Sequence, residues 1–188
     1  MIYFTADTHF SSDKVLKKSR RPFNSLEEMN ECIITEWNDV VNPNDTVIHL
    51  GDFGNTDILE QLEGRIMLLP GETDEYSDTS GFYKILSPGI VISVKGLKLQ
   101  LVHKPRRASR GNDPDIFVLF GHIHELQKLK RNGLNVGVDC NHFKPISSTV
   151  IEYYRIITKS VLDENIFMDT CTDEEKNNDE FDLMNLFD

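Results

Sequence analysis

Met1-Ile-Tyr-Phe-Thr-Ala-Asp7-Thr-His9 opens the chain with a β-rich run that breaks directly onto a carboxylate and an imidazole. Aromatic and β-branched residues favour a pleated, half-buried strand, and the polar Asp-Thr-His triplet marks where that strand gives way to a loop. The arrangement recurs. Val47-Ile-His-Leu-Gly51 leads to Asp52, Leu99-Gln-Leu-Val102 leads to His103, and Phe117-Val-Leu-Phe-Gly121 leads to His122 and His124. The β-type runs thus deliver ligand-type groups to one edge of the sheet, where open α/β sheets place their chemistry. Ser25-Leu-Glu-Glu28 has capping-box spacing, and Leu26, Met29, Ile33, Trp37 and Val40 recur every three or four residues. That pattern predicts an amphipathic helix ending near Asn42-Pro43. Further strands are expected over 46–50, 66–69, 90–94, 97–102, 116–120, 134–138 and 149–157. Several of these runs are apolar throughout, as in strands covered on both faces. The expectation is a layered α/β or α+β domain in which one or two sheets carry helices outside.

The 188 residues hold 20 Lys+Arg against 31 Asp+Glu, a formal charge of -11 that argues against a general nucleic-acid coat. The surplus is concentrated at one end. From Asp163 to Asp188 ten acids face Lys176 alone, a net of -9, which leaves -2 for the first 162 residues. Residues 1–160 are accordingly expected to form the folded domain and 161–188 a flexible acidic tail. No apolar run approaches the roughly 20 residues of a membrane helix, and no basic-then-apolar leader is visible, so a cytoplasmic protein is expected. Cys32, Cys140 and Cys171 have neither the number nor the spacing of a disulfide framework or a thiolate zinc cluster.

Asp7-x-His9 and His122-x-His124 have spacings suited to chelation, because residues flanking an irregular loop position can turn toward one ion. Mixed carboxylate and imidazole donors suit manganese, iron or zinc more than calcium, and a carboxylate such as Asp52 can bridge two ions. Two ions roughly 3.5–4 Å apart polarise a phosphoryl oxygen and generate hydroxide near neutral pH, which suits phosphoester hydrolysis.

In order, Asp7-x-His9, Gly51-Asp52, Gly71-x-x-Asp74, His103 and Gly121-His122-x-His124 resemble the signature of the calcineurin-like metallophosphoesterases, in particular the compact single-domain type of bacteria and phages. The likeness runs from Met1 to about Thr158 and includes Arg20-Arg-Pro-Phe23, Asn44-Asp45-Thr46, Asn135-Val-Gly-Val-Asp139 and Phe143-Lys-Pro145. It implies a four-layer αββα sandwich and a phosphoesterase with two divalent metal ions, manganese first, with iron, zinc, nickel or magnesium as alternatives. Asp7, His9, Asp52 and His124 would hold the first metal. Asp52, as the bridge, His103 and His122 would hold the second, and a metal-bound hydroxide would attack phosphodiesters or nucleotides.

The third block departs from the family, whose usual Gly-Asn-His-Asp or Gly-Asn-His-Glu is here Gly71-Glu72-Thr73-Asp74. Glu72 could reach the second metal as a carboxylate. Thr73 occupies the usual acid position but cannot act as an imidazolium acid, because its hydroxyl does not titrate near neutral pH. The alternative is therefore a metal-retaining scaffold or inhibitor, catalytically weak or inactive, that binds a protein partner. Among the other residues, Arg21 near the first block and Arg106 and Arg107 after His103 are candidates for clamping a phosphate, although a solvated loop accounts equally well for the latter pair. Such small patches suit a nucleotide or short phosphodiester better than sequence-specific duplex DNA. His49 reads as a buried residue behind the site, His142 as a surface residue, Asp74 as the tie of its own loop, and Trp37 as core.

Asp182-Leu-Met-Asn-Leu-Phe187 resembles the short terminal peptides by which replication proteins dock on a sliding clamp. On that reading Leu183, Leu186 and Phe187 would fill an apolar groove. A solubilising tail, or one helical turn of Phe181, Met184 and Phe187 packed on the body, are the alternatives.

Overall fold

The computed structural model describes residues 1–74, 80–109, 113 and 115–160. The acidic segment with Leu183, Leu186 and Phe187 lies outside them. The described elements are β1 (Ile2–Thr5), α1 (Asp13–Lys18), α2 (Leu26–Val40), β2 (Thr46–His49), β3 (Arg65–Leu68), β4 (Lys84–Ile85), β5 (Val91–Val94), β6 (Leu97–Leu101), β7 (Ile116–Phe120), β8 (Leu129–Lys130), β9 (Gly133–Asn135), β10 (Ile146–Ser147) and α3 (Ser148–Ser160). The strands form two five-stranded sheets, ordered β10-β1-β2-β3-β4 and β5-β6-β7-β9-β8. In the first, β1 to β4 run parallel and β10 closes one edge antiparallel. In the second, β6, β7 and β9 run parallel between antiparallel β5 and β8.

Side chains alternate across each strand, so the first sheet has two apolar faces. Phe4 and Ile48 point to the second sheet, where they meet Leu99, Leu101, Phe117, Leu119 and Leu134. Tyr3 and Val47 point the other way, onto Met29, Ile33 and Trp37 of α2. The mixed α/β sandwich expected from the sequence is the one observed, with two facing sheets and helices outside.

Helix α2 begins where the capping pattern places it. Ser25 Oγ accepts the Glu28 N–H at 3.1 Å, which satisfies an orphan donor of the first turn, while the Glu28 carboxylate accepts the Asn24 N–H ahead of the cap at 2.7 Å. Met29, Ile33 and Trp37 are fully buried, and Trp37 Nε1 donates to Glu63 O at 3.0 Å. The helix ends at Val41 in an extended conformation, two residues before Pro43.

Two expected strands differ. Residues 149–157 belong to α3 instead. The β-branched composition of Thr149-Val-Ile suggested a strand, but Ile151, Arg155 and Thr158 are buried at helical spacing while Val150, Tyr153 and Ile156 are exposed. Ser147 Oγ accepts the Val150 N–H at 3.3 Å at the helix start, and Arg155 lies over the Phe117 ring at 5.4 Å. The 134–138 strand is cut to β9, because Gly137 bridges to Ala6 of the other sheet and Val138 enters a short 3-10 turn. Helix α1 and strands β4, β8 and β10 were not expected; each is too short to carry a hydrophobic period. Among the described residues no helix is long and apolar enough to cross a membrane.

Trp37→Ala leaves a large cavity and removes a donor, so it is expected to lower unfolding free energy by about 3–5 kcal/mol. Tyr153→Ala, at an exposed position, should change it by no more than about 0.5 kcal/mol. Urea denaturation measures both.

Candidate metal centre

Parallel strands bring their C-terminal ends to one edge, and here both sheets do so at the same place. Asp7 and His9 follow β1, Asp52 follows β2, Gly71 to Asp74 follow β3, His103 follows β6, and His122 and His124 follow β7. The loops stay paired beyond the strands. Asp7 N donates to Gly51 O and His9 N to Asp52 O, each at 3.0 Å, and Gly121 N donates to His103 O at 3.0 Å. Asp7, His9, Asp52, His122 and His124 all have positive φ, between 47° and 72°. Left-handed backbone costs free energy in residues with a Cβ, and such residues persist where the surrounding structure over-determines them.

Asp52 is gripped by the loop after β3. Its Oδ1 accepts the Glu72 N–H at 2.8 Å, the Thr73 N–H at 2.9 Å and the Thr73 hydroxyl at 3.0 Å. Its Oδ2 is left facing His103 Nε2 at 3.4 Å and His9 Nε2 at 3.5 Å. Gly71 makes this approach possible, since a Cβ there would fall 2.3 Å from Asp52 Oδ1. Asp74 ties down its own loop, as expected, and also the loop after β2: its carboxylate accepts from Gly71 N, Asp52 N and Phe53 N at 2.7–2.8 Å.

Among the described residues, two groups have donor atoms that all lie within 4.8 Å of one another inside the group, Asp7 with His9 and Asp52, and Asp52 with His103 and His122. Asp7 is wholly buried, and its Oδ2 accepts the His122 N–H at 2.8 Å. Asp7 Oδ1, His9 Nε2 and His103 Nε2 are buried without a hydrogen-bond partner in the protein. Buried acceptors normally find a donor, so three orphans in the two groups that share Asp52, with carboxylate and imidazole chemistry, fit divalent cations. Electrostatics agree with this reading. Burial pushes the Asp7 carboxyl up to about 6 and the His9 imidazole down to about 4. Burial also opposes charge on Asp52, but His103, the Thr73 amide and His9 hold its carboxyl below the ordinary carboxylate range.

His124 lies outside both tight groups. Its ring stacks on His9 at 5.3 Å between centroids, and its Nδ1 is 2.7 Å from Asp139 Oδ2. Asp139 in turn receives Arg21 Nε at 2.8 Å and Nη2 at 3.0 Å. This chain of contacts sets the His124 tautomer: Nδ1–H goes to the carboxylate, which leaves the Nε2 lone pair available to a cation. His103 is set the same way, with Nδ1 donating to Leu50 O at 2.8 Å. Arg21, expected on the substrate rim, is instead buried, and its remaining donors go to Asp7 O and Thr8 O at 2.6 and 2.8 Å. It braces the ligand loop from behind. Asp139 was missed as a contributor; its signal was the Asn135-Val-Gly-Val-Asp139 segment, with Asn135 Nδ2 donating to His124 O at 2.8 Å.

The other candidates divide. Glu72 is half-exposed, pairs with Lys104, and has Oε2 3.7 Å from His122 Nδ1. Thr73 spends its hydroxyl on Asp52. Arg107 lines a cavity with Glu72, His103 and Lys104, whereas Arg106, also exposed, is not among that cavity's lining residues. His49 is fully buried behind the site, near Thr8 Oγ1 at 3.0 Å, and His142 is exposed, both as expected.

Asp139→Asn should weaken Mn²⁺ affinity by roughly 10–100-fold, the usual effect of losing a carboxylate behind a ligating histidine, measured by calorimetric titration. A pH dependence also follows. The folded pKa of Asp7 lies above its unfolded value of 3.8, so the contribution of the Asp7 carboxyl to the stability of cation-free protein is lost as pH rises from 3.8 to about 6, while the depressed His9 imidazole contributes with the opposite sign. A divalent cation needs the ionised carboxylate. The rise in melting temperature on adding Mn²⁺ should therefore grow over that interval and shrink as pH falls below 6.

Residues 1–145 match the model of the calcineurin-like phosphoesterase superfamily domain. An uncharacterized protein of Methanocaldococcus jannaschii is 32% identical over 165 residues, spanning 80% of this chain and 88% of that protein. The crystal structure of a protein of unknown function from Aquifex aeolicus is similar with a TM-score of 0.66 at 25% identity, over 81% of this chain and 98% of that one. With the family model covering most of the chain and residues able to hold metal at the strand ends, the chain belongs to the calcineurin-like phosphoesterase superfamily.

Proposed function

We propose that the protein is a two-cation phosphoesterase acting on phosphodiesters or nucleotides, with manganese as the first choice of cation. The observation that carries this reading is Asp52, whose Oδ1 is held by three donors while Oδ2 faces the imidazoles of His9 and His103. Asp7, His9, Asp52 and His124 would hold one cation, and Asp52, His103 and His122, with Glu72 alongside, the other. Two such cations supply Lewis acidity toward a phosphoryl oxygen and make water acidic enough to act as nucleophile near neutral pH.

The chain's own groups then set the limits of the reaction. His103 and His124 are oriented by Leu50 O and Asp139, so little reorganisation is needed when they ligate. Thr73 keeps Asp52 in place and supplies no titrating proton to a leaving group. Substrates whose leaving groups are stable anions are therefore favoured. The groove in front of His122 and His124 has a volume of about 660 Å³ and is flanked by Lys14, Lys18 and Phe82, enough room for a nucleotide-sized ligand. Arg107, in the adjoining cavity, is among the described residues the arginine best placed to meet a phosphate.

With Mn²⁺ the purified chain should hydrolyse an aryl phosphodiester. Asp52→Asn should lower kcat/KM by roughly a thousandfold, corresponding to several kcal/mol of lost charge stabilisation. Thr73→His should raise the rate on poor leaving groups more than on aryl esters. Absence of turnover with every divalent cation would favour the scaffold reading instead.

A further inference from the structure

Lys104 is a long amine with a side chain only 7% exposed, directly after the candidate ligand His103. An ammonium taken out of water needs compensation by an anion in good geometry. It finds Glu72, whose Oε1 accepts from Lys104 Nζ. Glu72 is itself 53% exposed and belongs to two spaces at once, the groove in front of the metal centre and the cavity of about 560 Å³ shared with Lys104 and Arg107. Its backbone is fixed, because its N–H is one of the three donors holding Asp52 Oδ1. The carboxylate therefore stands between Lys104 on one side and His122 on the other, with Oε2 3.7 Å from His122 Nδ1.

The charges around this point are unbalanced without Lys104. Asp52 and Glu72 both line the groove where an anionic phosphoester has to enter, and the added carboxylate of Glu72 would repel it. Lys104 alone would be equally out of place, since an unpaired ammonium behind the Asp52, His103 and His122 donors would repel a cation. Each makes electrostatic sense only with the other.

We infer that Glu72 and Lys104 act as one charge-compensated unit: Glu72 offers Oε2 as a further ligand to the cation held by Asp52, His103 and His122, and Lys104 on Oε1 cancels the added negative charge. This rests on the two-cation reading above. Glu72 is then a ligand and Lys104 a positioning residue that acts through it. The two single removals have opposite signs at the same subsite, which a merely structural role for the pair would not produce.

The test is calorimetric Mn²⁺ titration of the full chain, with bound metal counted after equilibrium dialysis, for wild type, Glu72→Gln, Lys104→Met, the double variant and Lys104→Arg. Wild type should bind two equivalents. Glu72→Gln should weaken the second by at least about tenfold and leave the first nearly unchanged, the scale expected for an ionic contact at a partly solvated site. Lys104→Met should tighten the second equivalent, the double variant should recover most of the loss in Glu72→Gln, and Lys104→Arg, which keeps the charge, should match wild type. An unchanged second equivalent in Glu72→Gln overturns the inference while leaving the two-cation reading intact. So does a weakened one in Lys104→Met with Lys104→Arg normal. Fewer than two equivalents in wild type removes the two-cation reading and this inference with it. Should Lys104→Met fail to fold by circular dichroism, the comparison of Glu72→Gln with wild type and Lys104→Arg decides alone.

Discussion

The grip on Asp52 is the constraint around which the site is arranged. A carboxylate free to rotate would divide its two oxygens among whatever donors came near. Here the amides of Glu72 and Thr73 and the Thr73 hydroxyl saturate Oδ1, so Oδ2 has one direction left, between His9 and His103. Three hydrogen bonds to one charged oxygen are individually strong and collectively directional. They require the loop after β3 to lie against the loop after β2, which the parallel pairing of those strands arranges. Gly71 allows the contact by lacking a Cβ, and Asp74 clamps both loops through their amides.

Two sheets rather than one supply the centre. The first delivers Asp7, His9 and Asp52, the second His103, His122 and His124, and the Asp7 Oδ2 contact with the His122 amide joins them. The cost is visible in the backbone, where five of these six residues hold positive φ, and each strained position costs on the order of 1–3 kcal/mol. It is visible also in the electrostatics. Burial raises Asp7 toward neutrality and keeps His9 neutral, the protonation changes expected when ligands are assembled away from water. The apolar layers on either side of the first sheet offset these costs, with α2 anchored by Trp37 on one face and the second sheet packed on the other.

Much of this was legible from residue order. The period of Leu26, Met29, Ile33 and Trp37 located α2 and its start, with the end about two residues short of the expected Asn42-Pro43, because a long amphipathic helix repeats its signal over several turns. The segment after Thr149 was misread because β-branched composition outweighed a buried spacing of Ile151, Arg155 and Thr158 that only packing against Phe117 and the inter-sheet core makes decisive. Arg21 was misplaced for a related reason. An arginine near a ligand block looks like a phosphate clamp, and nothing local reveals that Asp139, 118 positions away, will bury its guanidinium.

The sequence by itself determined which groups could take part. Carboxylates and imidazoles stand where β-type runs end, and a strand end is a local property that short-range pattern reports. Tertiary structure decided how those groups are used. Which oxygen of Asp52 is free, which nitrogen of His124 is left open to a cation, which acid neutralises Lys104 and which amide holds Asp7 all depend on partners brought in by the fold, 15 to 115 residues distant. Hydrogen bonds and ion pairs act over a few ångströms in space. Their partners are therefore chosen by the way the two sheets meet, and the order of residues along the chain does not record that choice.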